Sequence, residues 1–192
     1  MTDTRYNGWR NYDTWLANLW LDNSRDMNDE AEEHIRQAID DDNHDAESAR
    51  KAAAESMAGS LESEFDEQAE EIQRQIGSSG FFIDVINGAL REVDWREIAE
   101  NHINDVPLWS AGWNMPGYLP DSDPALFMEH SDAQSYLESE IGRAIDEDAE
   151  QENVTTATEH GDAATQAIAR LNATKGEFGE TIGKYHYWVA KV

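Results

Sequence analysis

Tyr185-His186-Tyr187-Trp188-Val189-Ala190-Lys191-Val192 ends the sequence, and its reading decides the fold. Three large aromatics and two valines in eight positions favour an extended strand. A strand needs a neighbour, because its backbone N–H and C=O groups must be paired. Working back from it, Lys175–Gly183 reads as a glycine-containing turn region and Ala163–Leu171 as a short helix. Gln151–Gly161 reads as a polar connection. Before it, Ala133, Tyr136, Leu137, Ile141 and Ile145 predict a helix running from Ser131 or Asp132 to about Asp148. Ser131 and Gln134 have the spacing of a capping box. The remaining partner for the closing strand is the Trp113–Phe127 region. Around it Gly112, Pro116, Gly117 and Pro120 interrupt helical periodicity, and Leu108–Met115 and Tyr118–Phe127 read as irregular or short-strand structure around a Pro116-Gly117 turn. The second half is therefore expected to form a small sheet covered by one or two helices.

Upstream of Pro107 the pattern is helical. Asn11 or Thr14 can cap a segment with Tyr12, Trp15, Leu16 and Leu19 at i, i+3, i+4 and i+7, and Trp20 beside Leu16. Asn28–Ile39 follows, with Ala31, Ile35, Ala38 and Ile39 inward. Asp45–Ile76 carries a thin stripe of Ala49, Ala53, Met57, Leu61, Phe65, Ala69, Ile72 and Ile76, and Gly59-Ser60 permits a break near its middle. Gly77-Ser78-Ser79-Gly80 reads as a stop. Phe81–Leu90 is a further apolar segment, and Asp94 can cap Trp95–Asn104, with Trp95, Ile98, Ala99 and His102 on one face. The fold class is α+β, a mostly helical N-terminal half (residues 1–105) followed by a small α+β domain (residues 106–192) with the closing strand. There is no internal repeat.

The 41 Asp and Glu against 14 Lys and Arg leave a net charge of −27 on 192 residues. Residues 1–105 account for −17 and residues 106–192 for −10, so the excess is not confined to a disordered tail. Seven Trp, six Tyr and five Phe supply a real core. An acidic chain with only four lysines suits a cytoplasm holding molar salt, where a Debye length of ~3 Å screens self-repulsion. Direct binding to nucleic acid or to an anionic membrane is not expected, because both need Lys and Arg clusters. The absence of Cys removes disulfides and thiolate chemistry. Met1-Thr2-Asp3-Thr4 lacks the character of a secretory signal, and no apolar run approaches the ~20 residues of a membrane span. The expectation is a cytoplasmic protein, a monomer or small oligomer.

Tyr6-Asn7-Gly8-Trp9, Asn11-Tyr12-Asp13-Thr14-Trp15 and Leu19-Trp20-Leu21-Asp22-Asn23 resemble the opening of an uncharacterised family of small proteins. That family is common in bacteriophages, archaeal viruses and their hosts. Its usual second element is Asn-Tyr-Glu-Thr-Trp, so Asp13 is a conservative departure. Val93-Asp94-Trp95-Arg96-Glu97-Ile98-Ala99 looks like its closing helix, and Gly112–Asp121 is similar to another phage-type element that precedes an acidic helix and an aromatic strand. The resemblance covers most of residues 5–127 and implies a viral or mobile-element character, with no catalytic residues to carry over.

Trp9 and Tyr12 could form a recognition surface with Trp15. The competing expectation is that Trp15, Leu16, Leu19 and Trp20 bury against the following helices while Asn7, Asn11 and Thr14 fix the turn and cap. Trp109, Trp113, Asn114, Tyr118 and Asp121 bring two indoles, an amide, a phenol and a carboxylate within thirteen residues and could line a ligand site. No catalytic residues, no metal ligands and no cofactor are expected. The six histidines form no ligand pair, Glu159-His160-Gly161-Asp162 reads as solvated loop, and the Asp clusters at 40–42 and 121–123 lack calcium-loop spacing. Phosphate-loop and nucleophile-elbow patterns are missing. The functional expectation is a non-enzymatic accessory protein of a halophilic archaeon or its virus, acting on an unknown protein partner. The alternative is an acidic DNA-mimic decoy for a host restriction or defence nuclease.

Overall fold

The computed structural model describes residues 5–41, 45–76, 80–118, 123–151 and 154–192. Five helices come first: α1 (Tyr12–Ser24), α2 (Met27–Asp40), α3 (Ala46–Ile76), α4 (Phe81–Glu92) and α5 (Trp95–Asp105). Strands β1 (Trp109–Asn114) and β2 (Ala125–Phe127), helices α6 (His130–Gln151) and α7 (Val154–Ala173), and strands β3 (Phe178–Ile182) and β4 (Tyr185–Lys191) follow. The protein is α+β, and it divides into two compact units, Met1–Asp41 with Ala49–Val106 and Asp42–Ser48 with Pro107–Val192.

In the first unit the caps set the helix starts. Asn11 accepts from Thr14 N, Asp26 from Asn28 N and Asp29 N, and Asp94 from Glu97 N. Ala31, Ile35 and Ala38 of α2, Ala53, Met57 and Leu61 of α3, and Ile98, Ala99 and Ile103 of α5 are buried. Arg50 on α3 donates to Ile103 O at 2.6 Å and Val106 O at 2.9 Å, satisfying carbonyls at the C-terminal end of α5. Burial lowers the Arg50 guanidinium below its ordinary pKa. Helix α3 passes through Gly59-Ser60 without the break its composition permits. Buried Met57 and Leu61 on either side offset the ~1 kcal/mol that a helical glycine costs. The expected Gly77-Ser78-Ser79 stop lies outside the described residues.

The second unit is an antiparallel sheet of order β2-β1-β4-β3. The closing strand is central, pairing Trp109–Asn114 against Lys191–His186 and Phe178–Ile182 against Val189–Tyr185. Ala111, Ile182, Tyr187 and Val189 of the sheet share one core with Leu137 and Ile141 of α6 and Ala164, Ala167 and Leu171 of α7.

Three local expectations are corrected. Lys175–Gly183 contains strand β3, because Phe178, Glu180 and Ile182 alternate onto its more covered side, and the glycines masked that period of two. Gly183, at φ 58°, opens the two-residue hairpin loop to β4, a position that favours glycine. Most of the supposed polar connection at 151–161 belongs to α7, which propagates from the Ala164–Ala167–Leu171 stripe into polar sequence. Ser131 and Gln134 form no capping box; Gln134 Nε2 instead donates to Leu171 O at 2.6 Å and Thr174 O at 2.9 Å, closing the C-terminal end of α7. Among the described residues, no helix is long and apolar enough to cross a membrane.

Candidate functional site

The opening motif is a brace. Tyr6 and Trp9 exchange backbone hydrogen bonds of 2.8 and 2.9 Å across Asn7 (φ 50°) and Gly8 (φ 92°). Two successive positive φ angles make this a type I′ turn, which explains the Asn-Gly pair. The turn is fastened to the start of α5. Arg5 bonds Gly8 O and Glu97, Arg10 N donates to Glu97 Oε2 at 2.8 Å, and Arg10 Nη1 donates to Asp94 Oδ2 at 2.9 Å. Asn11 Nδ2 reaches Glu92 O at 2.7 Å. Thr14 Oγ1 donates to Asn11 Oδ1 at 2.9 Å and accepts from Asp94 N at 2.9 Å. The N-termini of α1 and α5 are thus tied through each other's capping residues. Burial opposes the charge on Asp94, but Arg10 and the Glu97 N–H outweigh it and hold the carboxyl below its ordinary pKa.

This brace determines how α1 lies. Its buried side is Thr14, Asn18 and Leu21, two polar residues and one leucine. Asn18 Oδ1 accepts from Nε2 of buried His102 at 3.0 Å, and Asn18 Nδ2 donates to Asp22 Oδ2 at 2.8 Å. A buried amide and imidazole are affordable only with such partners. The expectation that Leu16, Leu19 and Trp20 bury is overturned: they are 44%, 42% and 49% exposed. The polar stripe won because it satisfies the Asp94 amide and the His102 ring.

Leu16, Ala17 and Trp20 instead form one wall of an apolar groove of about 420 Å³. Phe65, Ala69 and Ile72 of α3 line it, as do Ile86, Ala89 and Leu90 of α4 with Val93 beyond. Asp13 and Gln68 are the polar residues of its lining. The ring of Phe65 lies 5.6 Å from Trp20 and 4.8 Å from buried Trp95, linking the groove to the core. Beside Phe65, Arg25 holds Glu64 in a two-pronged pair of 2.8 and 2.6 Å, which raises the guanidinium pKa and lowers the carboxyl pKa. Phe81 and Phe82 on α4 are 75% and 72% exposed. Phe82, one turn before Ile86, extends the apolar lane.

The residues singled out by sequence are distributed differently. Tyr12 is 49% exposed and packs edge-on with Tyr6 and at 5.6 Å from Trp15, while Trp9 is half-buried in the turn. Trp109 lies 4.3 Å from the His130 ring, and Trp113 donates from Nε1 to Glu140 Oε2 at 2.9 Å and meets Tyr185 edge-on. Both indoles pack against the sheet–helix core of their unit. Asn114 Nδ2 donates to Tyr118 O at 3.3 Å across the Pro116-Gly117 turn, and the Tyr118 ring is 71% exposed. Asp121 lies outside the described residues. Among the described residues, no three His, Asp or Glu side chains converge as metal ligands would.

Sequence reasoning missed the groove. Periodicity marks Leu16, Leu19 and Trp20 as a face but does not say where the face points. The available signal was His102, an imidazole on an otherwise apolar inward stripe, which demands a polar partner such as Asn18.

Among curated proteins and among solved structures, nothing matches the chain. The sequence model of one family does match, over residues 2–106, the span that holds the brace and the groove and ends where the first compact unit ends. By that match, which covers more than half its length, the chain belongs to a family of unknown function, DUF7249.

Proposed function

We propose that the protein is a non-enzymatic accessory protein that works by binding another protein, and that its first unit carries the docking face. One observation supports this above the rest. Helix α1 spends Thr14 and Asn18 on the interior and leaves Leu16, Leu19 and Trp20 outside, beside an apolar groove. Large exposed apolar patches mark interaction sites, and Trp and Tyr dominate binding hot spots. The polar motif residues then have a structural task, to hold α1 in that orientation. The resemblance of the motif to phage and archaeal-virus proteins, together with the net charge of −27, supports a setting in a halophilic archaeon or its virus.

The test places a photo-reactive phenylalanine analogue at Leu19 and irradiates the protein in a halophile lysate at molar salt. A protein cross-linked to the parent chain and lost with Leu16→Glu is the expected result. Equal labelling with and without Leu16→Glu contradicts the reading. Displacement of the same protein by duplex DNA would instead favour the acidic decoy. For the salt setting, the denaturant midpoint should rise between 0.1 and 3 M KCl; a constant midpoint contradicts it.

A further inference from the structure

We infer that the occupant of the α1–α3–α4 groove is a cationic amphipathic helix of another protein, a proposal that rests on the docking reading above and specifies its partner. The shape comes from the walls. The groove lies between helices rather than along a strand edge, so it offers apolar contacts and no row of unpaired backbone groups. That is the setting for a helix laying i, i+3, i+4 and i+7 side chains into a cleft. Leu16, Trp20, Phe65, Ile72, Ile86 and Leu90 supply the apolar contact, and Asp13 sits in the lining.

The charge of the occupant follows from the net charge of the helices that wall the groove. Helix α1, the Leu61–Ile76 part of α3, and α4 together carry ten carboxylates and two arginines, Arg74 and Arg91. Arg74 is already bonded to Glu71 at 2.9 Å. A segment with Lys or Arg flanking its apolar face would meet Asp13 in the lining and a net negative charge on the helices that form the walls, whereas an acidic one would meet like charge. The same bookkeeping disfavours a second copy of this chain. It would bring a net charge of −27, and Arg5, Arg10, Arg25, Arg36, Arg74, Arg96, Arg143 and Arg170 among its 14 basic residues are engaged with their own carboxylates.

The experiment uses the full 192-residue chain. Three fluorescent 18-residue peptides are titrated in 0.5 M KCl: a Leu/Lys helix with leucines at i, i+3, i+4 and i+7, a scramble of identical composition, and a Leu/Glu counterpart. The amphipathic Lys peptide should bind at least tenfold tighter than the scramble, and the Glu peptide should not bind. Leu16→Glu adds negative charge yet removes apolar surface, so it should weaken the Lys peptide at least tenfold, with folding checked by circular dichroism. Non-specific attraction to an acidic surface predicts the opposite, unchanged or tighter binding. Equal binding of peptide and scramble, or undiminished binding to Leu16→Glu, overturns the proposal. So does a dimer in sedimentation that Leu16→Glu dissociates, which would assign the groove to a second copy. Should Leu16→Glu abolish lysate cross-linking while the Lys and Glu peptides bind alike, the charge assignment fails and the docking reading stands. If cross-linking is indifferent to Leu16→Glu, the docking reading itself fails.

Discussion

Helix α1 and strand β4 are both rich in aromatic side chains, and they turn them in opposite directions. In β4, Tyr187 and Val189 are buried in the core shared with α6 and α7. In α1, Tyr12, Leu16, Leu19 and Trp20 face outward and Thr14 and Asn18 face inward. The difference lies in what fixes each element. Strand β4 is hydrogen-bonded on both edges, so its side chains alternate by the pleat and the apolar set falls on the covered face. Helix α1 is held at its N-terminus by polar side chains, and those bonds choose its rotation. Similar hydrophobic content thus ends as core in one segment and as surface in the other, and content alone does not decide which.

The sharpest way to break this comparison is to truncate an aromatic in each. Tyr187→Ala should cost about 3–5 kcal/mol, as for other large buried aromatics, whereas Tyr12→Ala should cost only about 1 kcal/mol, the worth of its ring contacts. Denaturant unfolding measures both, and similar losses would mean that α1 is packed like β4.

The inner side of α1 supplies the next test. Asn18→Ala leaves the His102 ring without its amide partner, so a loss of about 1–3 kcal/mol is expected. Asn18→Leu should be no better, because an added apolar surface does not satisfy the imidazole. A stabilised Asn18→Leu protein would show that the polar stripe does not set the rotation of α1.

Much of the architecture was legible in the sequence. The closing strand, the capped helices at Asn11 and Asp94, and the α2 and α5 faces all follow from local pattern and caps, whereas the partner of the closing strand, expected at Trp113–Phe127, is β1 at Trp109–Asn114 on one edge and β3 on the other. Strand β3 was hidden by its glycines, and the N-terminal part of α7 by polar residues that carry no stripe. The groove was hidden for a different reason. Thr14–Asn18–Leu21 and Leu16–Trp20 are both helical stripes, and only a contact with α5, more than seventy residues away in sequence, selects between them.

A smaller effect probes the brace. Asp94→Ala removes the α5 cap and the Arg10 pair, and about 1–2 kcal/mol should be lost at pH 7. Because the folded-state pKa of Asp94 is depressed, its ionic contribution is complete above the unfolded-state value of about 3.9 and disappears as pH falls through the lower folded value. The gap between parent and variant should therefore narrow below about pH 4. A gap independent of pH would show that Asp94 acts only as a neutral cap.

Hydroxyl-radical footprinting read residue by residue by mass spectrometry tests most directly which way α1 faces and what that face is for. In the free protein, Leu16, Leu19 and Trp20 should oxidise readily while Leu21 and Met57 are protected. Adding the amphipathic Lys peptide should protect Leu16 and Trp20 and leave Tyr118, in the second unit, unchanged. Protection of Leu16 and Leu19 in the free protein, or a peptide footprint that spares Leu16 and Trp20, would contradict the account.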